Sequence, residues 1–585
     1  MLDPLVILLV GIVAVIGMII VLRVNAFIAL VTAAMLVSLL SPGAWAEKIS
    51  RVAVAFGSNA GKIGIVIALA AVIGKCLMDS GAADRIVRSF LRALGEKRAS
   101  TALMGSGFVL AVPVFFDTVF YLLVPLARSL WRRTRKNYLL YVTAIGAGAA
   151  ITHTLVPPTP GPLFIASALG IDLGMMILMG AVIALPTAIV GLMVCHLINR
   201  LIDIPMRPYS GETEPEPLAD EQLPGLFVSI LPVVLPVILI SANTVTKTFA
   251  DAEHAALFRP GDVSNWTDFA LTLTSEPEGG APSPAKHLLE FLPNDVRNAF
   301  EEAAAGGTLD AEAQQRALTA MNDVLKDPDF YRLRPFVDVD VPSTVQTRLA
   351  GDLTRTPQAE LEHLNRVLLE ASFPAQIKSH FWETPRRKAA NVTALFGDPN
   401  LALLISAVIA MLVLVRNRGL SLKELGHATE VALMSGGVII LITAGGGAFG
   451  EMLSAAGVKD SVQGLMGPQG QLTGATILCV AFAVAAVLKI AQGSSTVAMI
   501  TTSSMFAAMG VSSGMLGCHM VYLATAIGCG SLVGSWMNDS GFWIFSKMGA
   551  LTEVETLKAW STLLVVLGAT GLGFTLLFAS LLPLA

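Results

Sequence analysis

The sequence predicts an all-α polytopic membrane protein with two inverted repeats and a helical soluble insert. Hydrophobic residues make up 54% of its 585 residues, and charged residues only 14%. Many of the apolar runs approach the length that a helix needs to cross the hydrocarbon core of a bilayer, about 20 residues. A motif from the first half of the chain also recurs in the second half. These observations predict two related sets of membrane-spanning helices.

The first membrane repeat is predicted at residues 1–202. It is expected to hold five crossings, one of them broken, and one re-entrant hairpin. Arg23 joins the first two apolar runs, and short polar loops separate the others. The predicted crossings cover residues 4–22, 25–40, 60–79, 138–170 and 173–198.

Residues 100–127 are the predicted hairpin, because a basic cluster lies on each side of them. Short loops rich in Lys and Arg stay in the cytoplasm, so a single crossing would export one cluster, whereas a hairpin keeps both inside. The tip is predicted between Pro113 and Thr118, since proline breaks a helix. Asp117 lies in this tip, and an ionised Asp at membrane depth usually marks a site or an ion path.

The crossing at 138–170 is predicted to be broken in its middle. The run from Thr152 to Pro162, Thr-His-Thr-Leu-Val-Pro-Pro-Thr-Pro-Gly-Pro, holds four prolines and a glycine, which a continuous helix cannot accommodate. Two half-helices with an unwound middle are therefore expected. Backbone of this kind survives at membrane depth only where protein or a water-filled cavity satisfies it.

The second half of the chain is interrupted by a polar segment. A proline-containing cytoplasmic linker at 203–222 is followed by the first helix of the second repeat, predicted at 223–245. Residues 246–397 hold 15 Lys and Arg against 22 Asp and Glu, and they are predicted to form the soluble insert. Residues 398–585 complete the second repeat, with crossings at 400–415, 429–450, 515–546 and 560–581.

A repeated motif relates the two halves of the chain. Residues 73–84 resemble residues 449–460 at an offset of 376. The same offset places Asp117 on Gly493, in the tip of a second predicted hairpin at 472–505. It also places the proline-rich break close to a second break at 534–541.

The number of crossings sets the orientation of the repeats. An odd number inverts the second repeat relative to the first, and transporters with this plan bind substrate at the repeat interface. The charge bias agrees, because this topology places five basic residues in the cytoplasm: Arg416, Arg418, Lys423, Lys547 and Lys558. The same topology predicts that the insert 246–397 lies outside the cytoplasm.

Two acidic residues at the predicted breaks are candidate proton sites. Asp117 and Asp539 lie in opposite repeats, and an Asp in an apolar site can carry a proton near neutral pH. The alternative is structural pairing, for instance with Lys489. His153 could relay protons, because imidazole titrates near physiological pH. It could equally be an ordinary hydrogen-bonded polar residue.

Hydroxyl groups and half-helix N-termini at the breaks suit a hydroxylated carboxylate ligand. The alternative is that small polar residues merely allow close helix packing. Lys489 either neutralises a substrate carboxylate or extends toward the membrane surface. The candidate substrate-binding residues are Thr118, Thr154, Thr159, Gly161, Lys489, Gly493, Ser494, Ser495, Thr496, Asn538 and Ser540.

Other chemistry has little support. The sequence has no Gly-x-x-x-x-Gly-Lys-Ser/Thr nucleotide loop and no His-Glu-x-x-His zinc motif. The five cysteines match no metal-binding spacing, and the insert has none. Asp117 and Asp539 also fit an intramembrane aspartyl protease, but a protease does not explain the duplicated breaks and hairpins. We therefore expect no enzyme activity, no cofactor, no metal and no nucleic-acid partner.

Four stretches resemble the gluconate:proton symporter (gluconate permease) family. They are Gly107–Leu126, Thr152–Pro162, Gln492–Ala498 and Asn538–Trp543. The likeness covers both membrane halves, whereas the insert departs from the family pattern. The resemblance implies import of gluconate and related sugar acids, or D-serine in some members, with proton cotransport across the bacterial inner membrane. Through the ion transporter superfamily it also implies inverted repeats, two re-entrant hairpins and an elevator motion.

The resulting hypothesis is a secondary active importer of gluconate or a related small hydroxylated monocarboxylate, driven by protons. A sodium-coupled carboxylate transporter is the alternative within transport, because hydroxyl-rich hairpin tips also suit sodium. An intramembrane aspartyl protease and a transporter-derived sensor, with the insert as its ligand-binding part, are remote alternatives. The expected partners are a small sugar acid, protons and the lipid bilayer, and a homodimer is left open.

Overall fold

The computed structural model is helical over the part of the chain that it describes. No β-strand occurs in the described ranges, where Val263 and Ile377 form an isolated antiparallel bridge. The side chains of residues 19, 20, 96, 117, 332 and 492 lie outside the description. The described residues are 3–113, 115–207, 219–275, 283–332, 336, 339–350, 356, 358–458, 461, 474–537 and 539–584.

The chain divides into two compact units. One unit combines residues 1–242 with residues 396–585, and the other consists of residues 243–395. The first unit holds the long apolar helices and the second holds short amphipathic helices. The predicted insert, at 246–397, overlaps the second unit over residues 246–395.

In the described residues up to Asp251 the structure has ten α-helices, numbered in chain order. Two of them, α7 and α8, lie on the two sides of the proline-rich run. The helices are α1 (Pro4–Ile20), α2 (Ala26–Leu40), α3 (Ser50–Ser80), α4 (Ala82–Leu94), α5 (Ala99–Leu110), α6 (Phe116–Thr134), α7 (Tyr138–Leu155), α8 (Pro160–Leu169), α9 (Leu173–Leu201) and α10 (Leu226–Asp251).

The unit of residues 243–395 follows, and then the membrane unit resumes. The short helices are α11 (Trp266–Thr274), α12 (Pro284–Phe291), α13 (Asn294–Ala304), α14 (Ala311–Leu325), α15 (Ser343–Leu349), α16 (Gln358–Ser372) and α17 (Pro385–Phe396). The remaining helices are α18 (Pro399–Arg418), α19 (Leu422–Ala455), α20 (Gly474–Gln492), α21 (Ser495–Ala508), α22 (Ser513–Leu516), α23 (Val521–Gly530), α24 (Ser540–Gly549), α25 (Glu553–Thr556) and α26 (Thr562–Leu581).

Eight helical segments among the described residues are long and apolar enough to cross a membrane. The chain is therefore a multi-pass membrane protein. Two further predicted crossings fall on the shorter apolar segments Pro4–Met18 and Ala26–Leu40. The inverted orientation and the re-entrant hairpins stay predictions. The eight segments are Trp45–Ser80, Tyr138–Leu169, Leu173–Leu201, Leu226–Asp251, Pro399–Arg418, Leu422–Ala455, Gly474–Ala491 and Glu553–Leu581.

The third crossing begins about ten residues earlier than the sequence predicts. Helix α3 starts at Ser50, in a charged segment that the sequence analysis predicts to be a polar loop. Arg51 donates from Nε to Ser38 Oγ at 2.6 Å and from Nη1 to the Pro42 carbonyl at 2.8 Å. Because these bonds satisfy the guanidinium, the charge is compatible with the first turn of the helix. Composition alone could not reveal this partner.

Glycines let helix α7 lie close to helix α5, which belongs to the first predicted hairpin. Helices α5 and α7 pack against each other. A Cβ atom on Gly148 would lie 2.1 Å from the Met104 carbonyl oxygen, and one on Gly107 would lie 2.8 Å from the Ile145 carbonyl oxygen. Small residues of this kind allow backbones of membrane helices to approach. The packing places the hairpin tip next to the break between α7 and α8.

The unit of residues 243–395 has its own apolar core, in which Phe269 and Phe300 are fully buried. It also holds a chain of polar contacts. His363 Nδ1 and His380 Nε2 lie 2.9 Å apart, and His380 Nδ1 lies 2.9 Å from Glu370 Oε1. Burial, together with the neighbouring His380, lowers the pKa of His363 to about 4. Histidine 363 is therefore neutral at physiological pH.

Candidate functional site

A cavity of about 280 Å³ lies where both predicted hairpin tips and both predicted helix breaks meet. Residues from α5–α6 and α20–α21 contribute the tips, and residues beside the α7–α8 and α23–α24 breaks contribute the rest. Helices α19 and α26 close the wall. The lining residues are Phe115, Phe116, Thr118, Ala150, His153, Thr154, Pro160, Ser435, Ile439, Lys489, Ser494, Ser495, Thr496, Leu532, Asp539, Ser540, Gly541, Trp560 and Leu564.

A buried ion pair is the main electrostatic feature of this cavity. Lys489 donates from Nζ to Asp539 Oδ2 at 2.7 Å and to the Gly493 carbonyl at 3.0 Å. The two side chains are only 2% and 9% exposed. Charges that leave water at this depth are costly unless they are paired and hydrogen-bonded. Each of the two charges is therefore stable in the cavity only while the other is present.

The local backbone explains how the pair is assembled. Lys489 lies in the last turn of α20, one turn before Gly493, whose φ of +75° ends the helix. Asp539 is the N-cap of α24, and its Oδ1 accepts a hydrogen bond from the Gly541 amide at 3.0 Å. A carboxylate at a helix N-terminus is favoured by the unpaired amides and the helix dipole. Both charged groups are thus held by broken helices.

Neighbouring residues fix the orientation of the Asp539 carboxylate. The Ser535 hydroxyl donates to Asp539 Oδ2, and Trp560 Nε1 donates to Ser535 Oγ at 3.1 Å. Trp536 Nε1 donates to the Ile490 carbonyl at 2.8 Å, which ties the second break to the end of α20. The Ser535 and Trp560 contacts therefore hold one oxygen of the Asp539 carboxylate in place beside Lys489.

The first half of the chain supplies aromatic, imidazole and hydroxyl side chains to the cavity wall. His153 lies at the end of α7, and its ring meets the Phe115 ring edge-on at 6.5 Å between centroids. Its Nδ1 has no hydrogen-bond partner among the described residues. Phe116 stacks on Trp560 at 5.2 Å, so aromatic contacts brace the first hairpin against the second half of the chain. Thr118 also lines the cavity.

The structure brings together most of the residues that the sequence singles out. Two members of the set lie outside the described part of the chain: Asn538 entirely and Asp117 in its side chain. The residues that line the cavity are Thr118, His153, Thr154, Lys489, Ser494, Ser495, Thr496, Asp539 and Ser540.

Three of the predicted residues are not part of the cavity lining. The Thr159 hydroxyl donates to the carbonyls of His153 and Val156 at 2.9 and 2.8 Å. It therefore stabilises the backbone of the break and does not face the cavity. Gly161 faces Met499, since a Cβ atom there would lie 2.1 Å from the Met499 Cε. Gly493 contributes its carbonyl to Lys489.

Sequence reasoning missed Ser435, Ser535 and Trp560. Ser435 lies within a crossing that shows no break, and only its position at the repeat offset from Asn59 could have drawn attention to it. Trp560 lies in the short π-helical turn Leu557–Ser561, before α26. Sequence periodicity does not reveal that this ring reaches the second break.

The arrangement suits a small anion with several hydroxyl groups. Its described residues offer the Lys489 ammonium group, the Asp539 carboxylate, and hydroxyls from Thr118, Ser494 and Thr496. Among the described residues, no group of three or more His, Cys, Asp or Glu side chains could hold a metal ion. The ammonium, carboxylate and hydroxyl groups of the lining can bind a ligand through charge and hydrogen bonds.

Known proteins are similar to the chain over nearly its whole length. A gluconate permease of Pseudomonas aeruginosa is 28% identical over 578 residues, covering 98% of this chain and 97% of that protein. The high-affinity gluconate transporter of Escherichia coli is 25% identical over 571 residues, covering 97% of this chain and 98% of that protein. A gluconate permease of Bacillus subtilis is 23% identical, covering 98% and 99%.

The crystal structure of the Alcanivorax borkumensis YdaH transporter covers 95% of this chain and 98% of that one, with a TM-score of 0.48 and 11% identity. The family model for GntP family permeases matches residues 3–263 and 373–582. The part of the chain that it leaves out, 264–372, falls within the unit of residues 243–395. Because the match covers most of the chain, including every residue that lines the cavity, the protein belongs to the GntP family of permeases.

Proposed function

We propose that the protein imports gluconate or a related small hydroxylated monocarboxylate together with a proton. One observation carries the proposal: the buried pair of Lys489 and Asp539 lines a cavity that is otherwise rich in hydroxyl groups. The gluconate permeases and transporters among the relatives support this class of substrate. The substrate carboxylate would bind Lys489, and its hydroxyls would bind Ser494, Ser495 and Thr496.

The ion pair provides a reason for proton coupling. A substrate carboxylate that binds Lys489 competes with Asp539 for the same ammonium group. Asp539 would then be a buried carboxylate without its cation, which costs several kcal/mol (about 3–5). A proton on Asp539 removes this cost. Substrate and proton therefore bind together more favourably than either binds alone, which is the thermodynamic requirement for symport.

Asp117, His153 and Asn538 are further members of the proposed site. Asp117 is the candidate for a second protonation step in the opposite repeat. His153 is proposed to relay a proton. Its position in the cavity lining and its Nδ1, which has no protein partner among the described residues, support this role. Asn538 and Ser540, beside Asp539, are proposed to bind substrate hydroxyls.

We further propose an elevator-type movement of an inverted-repeat carrier in the bacterial inner membrane. Support comes from the cavity, to which elements at equivalent positions of the two repeats contribute. In this topology the unit of residues 243–395 lies outside the cytoplasm. A movement of this kind would carry the ion pair and the hydroxyl-bearing tips as one body.

Transport in proteoliposomes tests the proposal. Labelled gluconate, other sugar acids and D-serine would be offered with an imposed proton gradient or an imposed sodium gradient. We expect accumulation of a sugar acid that follows the proton gradient and stops when that gradient is collapsed. Accumulation that follows sodium alone would replace proton coupling by sodium coupling, and absence of transport for every acid would overturn the proposed substrate class.

A further inference from the structure

A second cavity, of about 220 Å³, lies directly beside the candidate site. It lies between α3, α19 and the first hairpin tip. Three residues, Phe115, Thr118 and Ser435, line both cavities, so one thin wall of side chains separates them. The other lining residues are Ala70, Ala71, Gly74, Lys75, Met78, Pro113, Val431 and Ala432. A ligand that leaves the central site past Thr118 therefore enters this second cavity.

Lys75 is the charged residue among those that line the second cavity. Its Nζ donates to Asp79 Oδ1 at 2.9 Å, one turn further along α3. Both side chains are about one third exposed, at 32% and 33%. A pair of this kind is weak, because water solvates both charges and the side chains lose freedom in forming it. An incoming carboxylate can therefore compete with Asp79 for the ammonium group.

The opposite end of the same helix pair is closed. Asn59 of α3 donates from Nδ2 to Glu451 Oε1 of α19 at 2.7 Å. A Cβ atom on Gly447 would lie 2.2 Å from the Asn59 Cγ, so the absence of a side chain there lets Asn59 lie against α19. At the other end, Lys75 donates to Asp79 and forms no hydrogen bond with Ser435 of α19. Lys75 and Ser435 instead line the second cavity.

The repeat relates the two ends. An offset of 376 residues takes Asn59 to Ser435 and Lys75 to Glu451. The bonded pair Asn59–Glu451 therefore corresponds to the unbonded pair Ser435–Lys75. At the Lys75 end the two residues line the second cavity, which shares Phe115, Thr118 and Ser435 with the central site.

We propose that the second cavity is a vestibule in which Lys75 binds the carboxylate of the substrate on its way to or from the central site. The inference rests on the proposed function for the substrate class, and it adds a binding site that the central cavity does not require. Ser435, at the shared wall, is the residue past which the carboxylate moves from Lys75 to Lys489.

The test compares Lys75→Gln with two matched variants. Lys75→Arg keeps the charge, and Lys62→Gln removes a charge from the same helix at an exposed position that lines neither cavity. Gluconate transport would be measured in oriented proteoliposomes from each side separately, at low and at physiological ionic strength. A charged group at the mouth of a cleft raises the local concentration of an oppositely charged substrate by about tenfold or more, and salt weakens this effect.

We expect Lys75→Gln to raise the KM for gluconate about tenfold from the vestibule side, with kcat unchanged and with the salt dependence of KM reduced. Lys75→Arg and Lys62→Gln should behave like the wild type. A Lys75→Gln variant whose KM and salt dependence match those of Lys62→Gln would overturn the vestibule while leaving the central site intact. Failure of the wild type to transport any sugar acid would overturn both proposals.

A second measurement does not depend on turnover. Met78→Cys, which places a thiol in the lining of the second cavity and keeps Lys75, would be combined with Cys479→Ser, since Cys479 is the exposed one of the five cysteines and the other four are buried. Gluconate should slow the reaction of this cysteine with an anionic thiol reagent, and it should leave the reaction of a Lys62→Cys variant unchanged. Equal reaction rates with and without gluconate would overturn the proposed site.

Discussion

Replacing Asp539 by Asn separates substrate binding from proton coupling. In the wild type, the ammonium group of Lys489 is neutralised by a carboxylate at 2.7 Å, and both side chains are buried. At an effective dielectric constant of about 20, two unit charges at this distance attract each other by about 6 kcal/mol, part of which offsets their desolvation. Removing one partner of a buried pair costs about 3–5 kcal/mol, because the other charge loses its counter-ion.

The substrate can supply the missing charge. In Asp539→Asn the empty site holds an unpaired ammonium group, whose remaining partner is the Gly493 carbonyl at 3.0 Å. A bound carboxylate restores the pair and recovers part of the lost free energy of about 3–5 kcal/mol. A free-energy difference of about 1.4 kcal/mol corresponds to a tenfold change in the binding constant. We therefore expect gluconate to bind Asp539→Asn at least about tenfold more tightly than the wild type near pH 8, and with little dependence on pH.

Binding and transport are measured on the same preparations. The dissociation constant of gluconate would be determined at several values between about pH 5 and about pH 8, so that the effect of protonation on binding is seen. Proteoliposomes would report accumulation under a proton gradient and exchange of internal for external gluconate. We expect Asp539→Asn to exchange gluconate but not to accumulate it, because the proton has lost its site.

Two controls belong to this experiment. Lys489→Gln should lose gluconate affinity by at least about tenfold, and it should unfold more readily because Asp539 becomes an unpaired buried carboxylate. The double variant should recover stability, since two neutral amides replace the pair, but not affinity. The coupling that we derive from the ion pair would be refuted if Asp539→Asn accumulated gluconate at the wild-type level in response to a proton gradient.

Three further predictions follow from other parts of the protein. Asp117→Asn should abolish proton-coupled uptake, and normal accumulation in proteoliposomes would exclude that role. Gly148→Ala should destabilise the purified protein by about 1–3 kcal/mol through overpacking, because a Cβ atom would lie 2.1 Å from the Met104 carbonyl oxygen. Gly61→Ala, where no atom lies within 4 Å, is the control, and equal melting temperatures of the two variants would contradict the packing. Since the pKa of His363 is lowered from 6.5 to about 4 by burial, unfolded chains bind more protons than the native unit of residues 243–395 between these values. The free energy of unfolding of this unit should therefore fall as the pH drops from about 6.5 to about 4. Hydrogen exchange in the full chain would measure this fall, and the His363→Phe variant should show a smaller pH dependence.

The helix breaks were predictable because their causes are local. Proline removes a backbone donor and clashes with the preceding turn, so the run from Thr152 to Pro162 could not remain helical. Glycine at 493, with φ at +75°, ends α20 for an equally local reason. The position of the breaks along the chain therefore follows from the sequence, and with it the candidate residues next to them.

The partner of each polar side chain was not predictable in the same way. Lys489 and Asp539 are 50 residues apart, and the sequence left open whether Lys489 pairs, binds substrate or extends toward the membrane surface. Thr159 has the hydroxyl of a ligand-binding residue, but the backbone of the break places that hydroxyl on two carbonyls of its own loop. Hydrogen bonds and ion pairs depend on distances within a few tenths of an ångström, which composition and spacing do not encode.

The sequence by itself determined the class of protein, the places where the membrane helices break and the residue types at those breaks, because hydrophobic length, proline and glycine act over a few neighbouring residues. Only the tertiary structure decided that Lys489 lies against Asp539, that Trp560 and Ser535 support this carboxylate, and that Ser435 separates two cavities. These contacts join segments far apart in the chain. They depend on how closely packed helices bring such segments together, which is a property of the whole fold.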